Sequence, residues 1–251
     1  MNAPAELSLL RGEDYVINAH IKIHHPTIGE IADYGEEEYW KLVSLLTATP
    51  FDYKVAFYDM GVDYEEITDF ALFIMLTQNL PKEETKILFG GLDFSRFQVF
   101  TRRQAGSDGE NPAEDIVLRD AEREIVIDDV IYQLIADHLR RMHRIKRNQR
   151  KPGNEITKKI YIEEDRRAQE RNRDKPFSSL LAPLISGLVN CADFKYTYET
   201  VWDLCLYNFF DAVQRIRKLN NYRNLMTGIY TGNIDAKSIS DKQLDWLGDL
   251  D

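Results

Sequence analysis

The stretch Glu124-Ile125-Val126-Ile127-Asp128-Asp129-Val130-Ile131-Tyr132-Gln133-Leu134-Ile135-Ala136-Asp137-His138-Leu139 decides the fold class. Residues 124–127 are short, apolar and β-branched, the composition of a strand. Asp128 then offers a side-chain oxygen to the free amides of a helix start. From Ile131 onward Leu134, Ile135, Leu139 and Met142 recur at the spacing of one helix face. Residues 97–101 and 116–118 are also rich in β-branched and aromatic side chains. The fold expected is α+β, predominantly helical, with a small antiparallel sheet within residues 92–127. The polar turn formers of residues 105–112 predict a surface loop.

Working outward, residues 15–23 read as one strand ended by His24-His25-Pro26-Thr27. After Gly35, the residues Tyr39, Leu42, Val43 and Leu46 define a helix led by Glu36, Glu37 and Glu38, whose charges suit the positive end of the helix dipole. Thr49-Pro50 stops it. The segment after Phe51 ends at Gly61, a predicted left-handed cap. Asp63 and Glu66 have the spacing of a capping box, which predicts a helix beginning there and burying Ile67, Phe70, Ala71 and Ile74. Downstream, the helix capped by Asp128 is expected to be broken at Pro152-Gly153-Asn154. Residues 155–174 predict an exposed helix supported by small ion-pair contributions.

Past Pro176 one apolar stripe comprises Leu181, Leu184, Ile185 and Leu188. Another comprises Trp202, Cys205, Leu206, Phe209, Val213 and Ile216, on a helix of about 20 residues by its periodicity, interrupted at Asn220-Asn221. A short helix at 222–229, a turn at 230–235 and a last element at 241–250 complete the chain. Its 251 residues suit one large domain or two small ones. The organisation expected is an α+β part over 1–150, a charged helical connector over 151–176 and a helical part over 177–251.

Composition narrows the function classes. With 43% hydrophobic and 29% charged residues the balance is globular, and no apolar run is long enough to cross a bilayer as a helix. The N-terminal residues do not form a signal peptide, so the chain is expected to stay in the cytoplasm, that of a bacterial host on the resemblance given below. Two cysteines, Cys191 and Cys205, make no disulfide framework, and Cys205 on an apolar stripe is expected to be buried. The net charge of −10 is unevenly placed. Residues 138–175 hold 14 Lys/Arg against 6 Asp/Glu, whereas residues 30–84 hold 13 acids against 3 bases. Opposed patches of this kind pair with each other, with another copy or with a partner.

Few residues suggest chemistry. His20, His24 and His25 could be metal ligands, but no carboxylate completes a familiar spacing, and surface or turn histidines are the better reading. The acids Asp59, Asp63, Glu65 and Glu66 lack the alternation of a calcium loop and read as capping residues. Gly90-Gly91 and Gly228 with Gly232 lack the context of phosphate loops and read as turns. No nucleophile sits beside a base, so no enzyme activity, metal or cofactor is expected. Two features remain for binding. Arg140, Arg141, Arg144 and Arg147 lie in an acid-free basic run, which suits an acidic protein partner; a nucleic acid is the weaker reading, because aromatics for base stacking are missing. Tyr196, Tyr198, Trp202, Tyr207 and Phe210 belong to a crowd of aromatics that one helix face cannot hide, and the surplus suits a protein partner.

Several strings are found together: His25-Pro26-Thr27-Ile28-Gly29-Glu30-Ile31, Tyr34-Gly35-Glu36, Ala48-Thr49-Pro50, Phe194-Lys195-Tyr196, the run from Gly228 to Asp235, and Leu244-Asp245-Trp246. In these the chain resembles the tail assembly chaperones encoded among tail morphogenesis genes of phages and prophages of Gram-positive bacteria. The resemblance implies a non-enzymatic protein that binds the helical tape measure protein, or the tail tube protein, before the tail tube polymerises. A structural component of the virion and a nucleic-acid-binding regulator using residues 138–151 are the alternatives.

Overall fold

The computed structural model describes residues 6–103 and 114–250. The loop expected at 105–112 lies outside them. The fold is helix-dominated α+β, as the periodicities predict. A short helix α1 (Glu6–Leu10) leads to a hairpin of β1 (Tyr15–Val16) and β2 (Lys22–Ile23). The single strand expected at 15–23 is therefore corrected. Asn18 Oδ1 accepts from the amides of His20 and Ile21 at 2.9 and 2.8 Å, and this local turn outcompetes extended pairing.

Helix α2 (Ile28–Tyr34) opens on a capping box between Thr27 and Glu30, and α3 (Glu36–Thr47) follows after Gly35, at φ 106°. A 3₁₀ turn (Pro50–Tyr53) and α4 (Lys54–Asp59) run to Gly61, whose φ of 71° is left-handed as expected. The helix predicted to start at Asp63 starts later. Asp63 caps only a 3₁₀ turn (Tyr64–Glu66), and Thr68 caps α5 (Asp69–Thr77), because its hydroxyl accepts from the amide of Ala71. Helix α6 (Lys82–Phe89) leads into an antiparallel sheet of β3 (Gln98–Arg103), β4 (Glu114–Asp120) and β5 (Ile125–Ile127), in that order and in the region expected.

Asp128 caps α7 (Asp129–Met142) by accepting from the amide of Ile131. The helix ends ten residues before the predicted proline stop, as Arg144 adopts a left-handed φ of 53°. An irregular basic segment then leads to α8 (Glu155–Asn172), α9 (Leu181–Val189), α10 (Leu206–Tyr230) and the single turn α11 (Asp241–Leu244). Two expectations fail here. Helix α10 continues through Asn220-Asn221, whose weak helix propensity is too small to break a long helix. Trp202 and Cys205 precede the helix rather than riding on it, so Cys205 is half-buried instead of buried.

The main core joins α2, α3, α5, α6, α7, β5, α9 and the first half of α10, around the fully buried Tyr39, Phe94 and Phe209. Helix α7 carries unusual polar cargo into it. His138 and His25 place their Nε2 atoms 2.8 Å apart, and neither Nδ1 has a partner. His143 Nδ1 donates to Leu139 O at 2.7 Å, so its Nε2 bears the lone pair that accepts the Tyr39 hydroxyl at 2.6 Å. Burial, then the neighbouring histidines, push the pKa of His138 down to about 3. Burial holds that of His143 at about 4 against the opposing pull of Leu139 O.

A smaller second core gathers Phe51, Val55, Phe57, Tyr64 and Leu72 beneath Ile162 of α8. The polar helix predicted from 155–174 is thus anchored rather than free. Lys158 reaches Asp63 and Glu65 at 2.5 and 2.8 Å, Arg166 reaches Asp59 at 2.5 Å, and Lys54 reaches Asp165 at 2.9 Å.

Two outcomes follow. Lys158→Ala removes the half-buried contact that fixes the start of α8, leaving Asp63 and Glu65 unpaired; α8 amides should exchange roughly ten- to a hundredfold faster, a loss of about 1–3 kcal/mol, while α3 and α7 keep their protection. Native hydrogen exchange reads this directly, and unchanged α8 protection refutes it. The buried histidines are neutral in the fold but titrate near 6.5 when unfolded, so their stabilisation is complete above pH 6.5 and is lost as pH falls. Urea unfolding should lose about 2–4 kcal/mol between pH 7 and pH 5, since each neutral imidazole contributes about 1.4 kcal/mol per pH unit. His24, held above its ordinary pKa, acts in the opposite sense over the same range. Equal stability at the two pH values would contradict the assignment.

Candidate partner-binding surface

The sequence singles out two residue sets, and the loop between α9 and α10 presents the aromatic one. Val201, fully buried, pins this loop to the core. Its return is fixed by backbone pairing with the start of α2: Ile28 N–H donates to Leu204 O and Leu206 N–H donates to Pro26 O, both at 3.0 Å. Gly29 allows this approach, since a Cβ there would stand 3.1 Å from Trp202 O. Trp202 Nε1 donates to Tyr198 O at 2.7 Å, Asn190 Nδ2 donates to the Tyr198 hydroxyl at 3.0 Å, and Phe194 and Tyr196 pack with ring centres 5.4 Å apart. Each ring is therefore positioned, yet Tyr196, Tyr198 and Trp202 remain 38%, 53% and 40% exposed. Beside Phe194 and Tyr196 a cavity of about 360 Å³ opens against Leu10, Asn208, Arg215 and Ile216.

The other two aromatics are not part of this ledge. Tyr207 is buried, with the Arg144 guanidinium 4.9 Å above its ring, and Phe210 is half-buried against Trp40. Both face the core from α10, because the apolar side of that helix is wider than the stripe read from its periodicity.

The basic set is largely spent inside the molecule. Arg140 is 7% exposed and donates to Thr47 O at 2.9 Å. Arg144 donates to Asp211 and Gln214 at 2.9 and 3.1 Å, and Arg147 lies 2.7 Å from Asp69. The acidic stretch 30–84 and the basic stretch 138–175 thus meet each other. Arg141, Lys146, Arg150 and Lys151 are exposed and have no carboxylate partner among the described residues. Lys146 and Arg150 line a groove of about 960 Å³ with Ser44, Tyr53 and Gln149. Four outward cations are a small footprint for a nucleic-acid backbone.

The histidines divide as well. His25 is buried and not a surface residue, which corrects the sequence reading; the signal for the cluster was His138, which lies on the apolar face that Ile135 and Leu139 define. His24 is half-exposed between Asp14 at 2.8 Å and Glu30 at 3.1 Å. Partial burial opposes its charged form, but the hydrogen bonds its ring donates to these two carboxylates outweigh it and raise its pKa. Among the described residues no three His, Cys, Asp or Glu side chains converge as metal ligands. No helix among them is long and apolar enough to cross a membrane.

Residues 172–251, which include the aromatic ledge and α10, match the family described as the YomV second domain, a phage- and prophage-associated family. No curated protein and no solved structure shows significant similarity to the chain.

Gly29→Val should push the Trp202 backbone away from α2. The expected cost is about 1–3 kcal/mol, with a shifted resonance for the Trp202 indole proton as its bond to Tyr198 O is disturbed. An unchanged indole resonance and unchanged thermal midpoint would show that the loop is not held this way.

Proposed function

We propose that the chain is a non-enzymatic phage tail morphogenesis protein, an assembly chaperone whose client is the helical tape measure protein or the tail tube protein. The observation that carries this reading is the ledge of Tyr196, Tyr198 and Trp202, held in place by internal hydrogen bonds and located inside the segment that matches a phage-associated family. Rigid, half-exposed aromatics bury a large area at small entropic cost when a partner covers them. A helical client offers apolar side chains on one face at intervals of three and four residues, which suits the ledge together with the adjacent cavity beside Phe194. The unpaired Arg141, Lys146, Arg150 and Lys151 add attraction for acidic residues on the client and speed encounter rather than hold the complex.

Co-expression with the tape measure protein of the same phage, followed by affinity capture, should yield a stoichiometric complex. Tyr198→Ala with Trp202→Ala should weaken it at least tenfold, about 1.4 kcal/mol or more, with little change in circular dichroism. Capture of neither the tape measure nor the tube protein, together with normal tails from a phage lacking the gene, would end this proposal. Recovery of the chain in purified virions would make it a structural component instead.

A further inference from the structure

Gly91 has no conformational or packing reason to be glycine. Gly90 beside it needs its left-handed φ of 57°, but Gly91 is not left-handed, and a methyl group built on it would meet nothing within 4 Å. It forms part of a cleft of about 580 Å³ whose ionisable lining includes no acid: His20, Lys22, His24, Lys86 and Arg123. In a chain of net charge −10, a cleft lined by five such groups and no carboxylate is the reverse of its surroundings.

These groups arrive from three directions. The hairpin contributes His20, Lys22 and His24, the last turn of α6 contributes Lys86, and the β4–β5 turn contributes Arg123. Lys22 and His24 are already held by Asp14, which is not part of the lining. Lys86 has no partner among the described residues. Arg123 uses a single Nη1 bond, to Gly91 O at 3.1 Å, which leaves the rest of its donor fork unused. The turn presenting Arg123 is rigid: buried Asp120 accepts from the amides of Glu122 and Arg123 at 3.0 and 3.3 Å. The result is one cleft lined by a point charge, a planar donor fork and the bare backbone of Gly91.

We propose that this cleft binds a small phosphate-bearing anion, with Lys86 and Arg123 as its charged ligands, His20 as an additional donor and the side-chain-free Gly91 permitting close approach. An ammonium and a guanidinium facing one space match a multivalent phosphate, and the volume exceeds what one carboxylate fills. The site is separate from the aromatic ledge and does not depend on client binding.

Calorimetric titration of the full chain with inorganic pyrophosphate, and in parallel with citrate, tests the assignment. Pyrophosphate should bind saturably at one site and more tightly than citrate. Lys86→Ala should weaken it at least tenfold, and Gly91→Ala severalfold at an unchanged thermal midpoint. Arg217→Ala, exposed on α10 and outside the cleft, should leave pyrophosphate binding unchanged. Absence of saturable pyrophosphate binding overturns the proposal, as does citrate binding equally well, or a loss on Arg217→Ala equal to that on Lys86→Ala.

Discussion

The polar groups on α7 and in the turn that ends it are the constraint around which the other elements are arranged. His138 meets His25 beside the hairpin, His143 takes the hydroxyl of Tyr39 from α3, Arg140 takes the last-turn carbonyl of Thr47, and Arg144 reaches Asp211 on α10. Each of these groups is costly to bury alone, because an unpaired donor or charge keeps its full desolvation cost. Each of the bonds named here forms only when a different element stands in one register relative to α7. Apolar packing alone tolerates sliding and repacking; a set of matched polar contacts does not.

Much of this was legible in the sequence, and the failures share a cause. The period of Tyr39, Leu42, Val43 and Leu46, the strands near 97–127 and the cap at Asp128 are local signals, and each appears in the fold. Local side-chain bonding was harder to read: Asn18 folds a predicted strand into a hairpin, and Thr68 rather than Asp63 starts α5. Tertiary contacts were harder still. Asn220-Asn221 reads as a stop, yet the returning tail, where Arg215 Nη1 donates to the carbonyls of Trp246, Leu247 and Gly248, runs alongside and supports α10. For the candidate surface, the crowding of aromatics between 194 and 210 was visible, but not which of them are left outside. Tyr207 lies on α10 beneath Arg144, which is 63 positions earlier in the chain, whereas Trp202 stays in the loop before the helix.

The charge segregation has a similar explanation. Within the two one-signed stretches, residues 59–69 and 147–166 form one contact. Asp69 takes Arg147, Asp63 takes Lys158 and Asp59 takes Arg166, so acids at falling sequence number meet bases at rising number and the two stretches run antiparallel across the molecule. This zipper places a polar, poorly amphipathic helix on the small second core, where Ile162 is buried and Tyr161 packs edge-on against Phe51. The exposed pairs contribute little individually, and their alignment with buried Lys158 sets the orientation of α8.

Helix α10 is rooted over its first two turns, where Leu206, Tyr207, Phe209 and Val213 are buried, and its remaining turns stand away from the main core. At 25 residues it is roughly 37 Å long by the α-helical rise, with about 25 Å beyond Val213. Such a geometry is a lever with a short clamped arm. By trigonometry on that length, a tilt of about 5° in the socket around Phe209 sweeps Tyr230 through about 2 Å, so a load at the distal tip is transmitted as torque to the packing around Phe209.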